Sequence, residues 1–103
     1  MLEYVIEFLN VFDNLSRKYE LPRRKRKFKS ELRRYYRENY KVIYLHTDII
    51  RGIAVIQTTF IHEDKLVAMN IHYFYEQNKL LYTVAEGKLV GSEEQFVEGG
   101  SVV

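Results

Sequence analysis

The chain has 103 residues, 47% of them apolar and 15% aromatic, which is enough for one domain with one modest core. It has no cysteine, and this excludes disulfides, thiolate zinc sites and thiol catalysis. The net charge of +2 hides a division into blocks: residues 1–22 carry net −2, residues 23–41 carry net +8 from ten basic and two acidic groups, and residues 42–103 carry net −4.

Block asymmetry of this kind is a statement about partners more than about fold. Glu3 and Glu7 stand where a secretory leader would be positive, and no apolar run approaches the length of a membrane span. With the missing cysteines, these features lead us to expect a cytoplasmic protein. A charged fraction of 29% with few thermolabile residues is compatible with a thermophilic source.

Residues 2–20 read as a helix. Leu2, Val5, Ile6, Leu9, Phe12 and Tyr19 keep helical spacing, and Tyr4, Phe8, Val11 and Leu15 add a second stripe. The combined arc is wider than a surface helix needs, so either a sheet wraps it or a second protomer covers it. Together with the many strand tyrosines, it leads us to expect a homodimer. Pro22 disfavours helix for the residue before it, which sets the end of this helix near Glu20.

Residues 23–38 read as a second helix. Phe28, Leu32, Tyr35 and Tyr36 form one apolar face, and most other positions are Lys or Arg. Five consecutive cations, Arg23 to Lys27, oppose the helix dipole at an N-terminus, so a frayed first turn is expected with firmer helix from about Lys27.

From Tyr40 the period changes to two. Strands are expected over 40–46, 53–61, 66–75 and 80–85, with a loop at 47–52 and short polar turns at His62–Lys65 and Gln77–Lys79. Gly87 and Gly91 interrupt the pattern, a short fifth strand is expected near 95–97, and 99–103 reads as a loose end. The expected class is α+β: two N-terminal helices packed on one face of a four- to five-stranded antiparallel meander, in a single domain. Helix-plus-meander folds such as the cystatin-like group share this outline, a likeness of architecture that carries no function.

The basic segment is the sharpest functional feature. Clustered Lys and Arg bind nucleic-acid backbones because neutralising phosphates releases condensed counterions. The guanidinium-rich mix suits phosphate in particular. Arg23, Arg24, Lys25, Arg26, Lys27, Lys29, Arg33, Arg34 and Arg37 are the candidate contacts. The reading is a non-enzymatic, sequence-tolerant nucleic-acid-binding protein, DNA or RNA. Its alternatives are an interaction module whose basic helix meets an acidic protein, or an anionic membrane surface. The same cations could also be neutralised by Glu93, Glu94 and Glu98 of the chain's own acidic half.

A metal-dependent nuclease rests on less. Glu86-Gly87-Lys88 has the form E-x-K, with Asp48 or Asp64 as an upstream acid, but such a tripeptide is common by chance. His46, His62 and His72 lack ligand spacing, and no serine stands in a nucleophile context. No catalytic, cofactor or metal residue is assigned.

Overall fold

The computed structural model describes residues 2–90 and 93–102, with side chains described through residue 88. Helices α1 (Glu3–Lys18) and α2 (Lys25–Asn39) precede strands β1 (Lys41–Ile50), β2 (Ile53–His62), β3 (Lys65–Phe74), β4 (Lys79–Val90) and β5 (Glu93–Val102). The strands form one antiparallel sheet in the order β1-β2-β3-β4-β5. The α+β class, with N-terminal helices packed on one face of an antiparallel meander, is the class expected from the sequence. Among the described residues no helix is long and apolar enough to cross a membrane.

One face of the sheet and the inner faces of both helices make the core. Ala54, Ile56, Thr58 and Phe60 of β2 alternate with residues that face away, and Tyr73, Ile71, Met69 and Val67 of β3 stand opposite them in that order. Val5, Phe8 and Phe12 of α1 meet Phe28, Leu32 and Tyr36 of α2 over this surface. Edge-to-face aromatic pairs join the layers: Phe12 with Phe28 at 5.1 Å, Phe12 with Tyr73 at 5.1 Å, and Tyr4 with Phe60 at 5.4 Å. The wide arc of α1 is therefore largely covered within the protomer, leaving Leu2 and Ile6 exposed.

Helix α1 ends where expected. Tyr19 is its C-cap, Glu20 turns to φ 51°, and the Leu21 N–H donates to Ser16 O at 2.9 Å. Helix α2 starts at Lys25, about two residues earlier than charge repulsion suggests. The Phe28 N–H donates to Arg24 O at 3.0 Å, and the fully buried Phe28 ring holds that turn against the core.

The strands run longer than their hydrophobic pattern implies. Thr47 to Ile50, expected as loop, pair with β2, because Arg51 (φ 47°) and Gly52 (φ 81°) close a two-residue turn. Two successive positive φ values match the twist of an antiparallel hairpin. Glu63 and Asp64 do the same between β2 and β3. Gly87 does not break β4; its backbone pairs with Leu66 and Phe96. The fifth strand is also longer than 95–97. Gly99 to Ser101, expected as a loose end, pair with Val84 to Tyr82, because β4 supplies a ladder that asks nothing of their side chains. Gly91 and Val103 lie outside the described residues.

Candidate nucleic-acid interface

Helix α2 lies along β1 and against α1, so its position is fixed from two sides. Its inner face is anchored by Phe28, Leu32 and Tyr36, at 0–3% exposure. Tyr36 and Phe28 are thus core residues and cannot stack on bases, while Tyr35 is half-buried. Tyr35 and Tyr40 both donate their hydroxyls to the Glu7 carboxylate of α1. Burial first, then the Glu7 charge, pushes the Tyr35, Tyr36 and Tyr40 hydroxyls well above the usual tyrosine range. Tyr19 likewise donates to Glu31 at 2.9 Å, joining α1 to α2.

The nine candidate cations divide by what they touch. Lys29 donates to Asp48 at 3.3 Å and Arg33 to the Thr47 carbonyl at 3.5 Å, both on β1. Arg34 sits between Glu31 at 4.0 Å and Glu38 at 3.1 Å on its own helix. Arg23 reaches back to Glu20 at 3.2 Å. Among the described residues Arg24, Lys25, Arg26, Lys27 and Arg37 make no ion pair, and all five are exposed. Arg24, the N-cap, supplies no side-chain cap, so the first turn of α2 presents backbone N–H groups beside four cations.

The acidic half does not fold back over this surface through its backbone. Glu93, Glu94 and Glu98 belong to β5, at the opposite edge of the sheet from β1, which carries α2. Their side chains lie outside the described residues.

The residues considered for a nuclease are not brought together. Asp48 lies on β1 in the ladder row of Val55, His72 and Leu81, whereas Glu86 lies on β4 in the row of Val67 and Phe60. Glu86 is 3.8 Å from Lys65. Asp64 occupies the β2–β3 turn. Among the described residues no three His, Asp or Glu side chains form a group that could hold a metal.

The Glu7–Tyr35–Tyr40 junction was missed in the sequence. One signal was available: Glu7 interrupts a wide apolar arc, and a carboxylate there needs donors that tyrosine hydroxyls can provide. Comparison with known families, with characterised proteins and with solved structures finds no match to this chain.

Proposed function

We propose that the protein is a non-enzymatic nucleic-acid-binding accessory factor that grips the phosphate backbone with the outer face of α2. The observation that carries this reading is the pairing of an anchored inner face with an unpaired outer one. Phe28, Leu32 and Tyr36 hold the helix rigidly, while Arg24, Lys25, Arg26, Lys27 and Arg37 stand exposed without ion-pair partners among the described residues. Cations held on a rigid element lose less entropy on meeting a phosphate track than cations on a loose tail. The uncapped N–H groups of the first turn add positive potential at the same end of the helix. Lys29, Arg33 and Arg34, being tied to the fold, contribute to the local field more than to direct contact.

The test is a binding titration with mixed-sequence duplex DNA and single-stranded RNA across a salt series. Log affinity should fall linearly with log salt, and each lost phosphate contact should reduce the slope by about 0.7–0.9. The combined substitution of Arg24, Lys25, Arg26 and Lys27 by Ala should flatten the slope by about three units if each cation meets one phosphate. Affinity indifferent to salt, or undiminished in that variant, overturns the reading. So does a protein partner that survives nuclease treatment while nucleic acid fails to bind.

A further inference from the structure

Among the described residues no helix packs on the face of the sheet turned away from α1 and α2, and on this face Leu66 alone of the β3 side chains is buried. It is built by alternation: Ile53, Val55, Gln57, Thr59 and Ile61 on β2 stand beside Phe74, His72, Asn70 and Ala68 on β3. Leu81, Thr83 and Ala85 of β4 continue the same rows. On β1 the register shifts between Val42 and Tyr44, and Ile43, Tyr44 and Ile50 are left 62%, 53% and 50% exposed.

Charge is confined to the margin of this face. Lys41 and Lys79 occupy diagonal corners, in the ladder rows of Ile61 and Phe74 respectively, and on edge strand β5 the register places Glu98 in the row of Ala85 and Glu94 in that of Leu89. Asp48 sits on edge strand β1 and is engaged by Lys29. In a chain that is 29% charged, a sheet face whose interior carries no Asp, Glu, Lys or Arg is a marked depletion. An uncharged centre within a charged rim is the composition of a protein–protein contact surface.

We propose that this open sheet face is the contact surface of a homodimer, two copies packing sheet against sheet about a two-fold axis. A phosphate track is excluded as occupant, because among the described residues the cations of this face, Lys41 and Lys79, lie at the corners. A strongly charged protein finds complementary charge at the rim and none at this face's register positions on β2 and β3. A second copy does fit, because the central groups are self-complementary. Gln57 and Asn70 are register partners, and each amide both donates and accepts. Asn70 Oδ1 is buried without a donor among the described residues, and a turn of its side chain offers that oxygen to an amide N–H of the second copy.

Shape and size agree with this assignment. A depression of about 560 Å3 lies over Ala68, Asn70 and Ala85 and is walled by Tyr44, a side chain of the kind that anchors interfaces. Four strands at about 4.8 Å spacing and about ten residues long give a projected face of roughly 600 Å2 per copy. Two copies then bury about 1,200 Å2, the lower bound for a stable specific interface. Sheets packed this way lie about 10 Å apart with aligned strands. The helices of the two copies then face outward on opposite sides. Such a dimer carries two α2 surfaces pointing apart, whatever those surfaces bind.

The test uses the full chain without nucleic acid, so its outcome is separate from that of the binding titration. Sedimentation equilibrium at micromolar concentration should give twice the protomer mass. Tyr44→Lys, at an already exposed position, should weaken the dimer by about tenfold or more, because a buried unpaired ammonium is costly. Ala68→Lys should do the same, with circular dichroism confirming that each variant stays folded. Ile6→Lys, on the exposed part of α1, should leave the dimer intact. A wild-type monomer overturns the proposal. So does a dimer that resists Tyr44→Lys, or one that Ile6→Lys dissociates while both sheet variants remain dimeric.

Discussion

Arg24 through Lys27 and the trio Lys29, Arg33 and Arg34 belong to one basic run, yet only the trio is tied into the fold. Lys29 and Arg33 hold α2 to β1, and Arg34 is flanked by Glu31 and Glu38. The four cations before them, with Arg37 after them, are exposed and make no ion pair among the described residues. The difference follows from helical phase. Lys29 and Arg33 are four residues apart on the flank that meets β1, whereas Arg24 to Lys27 are exposed and reach no acidic partner among the described residues. Composition therefore overstates the available charge: part of a net +8 segment is spent on holding itself in place.

The largest effect should come from removing what makes the outer cations a platform. Phe28→Ala leaves a cavity under the first turn of α2 and should cost about 3–5 kcal/mol, read as a fall in thermal or denaturant midpoint. Phosphate binding should fall with it under conditions where the variant is partly unfolded. If affinity and salt slope are unchanged while the helix is lost, a disordered basic segment suffices and the anchored-platform argument fails.

Next is the junction that sets the angle of α2. Glu7→Ala strips the acceptor from two tyrosine hydroxyls at once and should cost about 1–3 kcal/mol in denaturant unfolding, with Glu7→Gln recovering part of the loss. The same cluster predicts an alkaline limit. Tyr35, Tyr36 and Tyr40 have raised values in the fold, so their stabilising contribution is complete below the ordinary tyrosine value near 10 and is lost as pH rises above it. Tyrosinate absorbance should show a late block of residues that ionise together with loss of ellipticity. A smooth titration of all nine tyrosines before unfolding would rule the cluster out.

The layer order was legible in the sequence because period and punctuation agreed. Pro22 closed the first helix, and alternation from Tyr40 onward defined a meander. What was missed depended on backbone geometry or on distant pairing. Arg51 gives no sign that it will take a left-handed conformation, so Thr47 to Ile50 looked like loop. Gly87 reads as a breaker in isolation, but an inner strand with a neighbour on each side tolerates it. The basic segment was visible as charge. Its division into tied and untied cations was not, because Lys29 and Asp48 are nineteen residues apart and Tyr40 and Glu7 thirty-three. The open sheet face was present in the alternation of β3, where Leu66, Ala68, Asn70, His72 and Phe74 share a side, but the sequence alone did not say which side the helices would take.

The smallest effect separates the two groups of cations most cleanly. Substituting Arg24, Lys25, Arg26 and Lys27 by Ala should change stability by no more than about 0.5 kcal/mol while flattening the salt slope of binding. Lys29→Ala should do the reverse: a loss of about 0–1 kcal/mol in stability, with the slope nearly unchanged. Its contribution is also pH-dependent. The Ile49 N–H at 2.8 Å, and after it Lys29, holds the Asp48 carboxyl below the ordinary carboxylate range. A lowered value in the fold means that the stabilisation is present above the unfolded carboxylate pKa and disappears as pH falls through the lowered one. The stability difference between Lys29→Ala and the wild type should therefore be constant near neutrality and close at acid pH. A difference that persists after Asp48 is protonated would assign the role of Lys29 to the packing of its aliphatic stem against β1, leaving the ion pair no part in fixing α2.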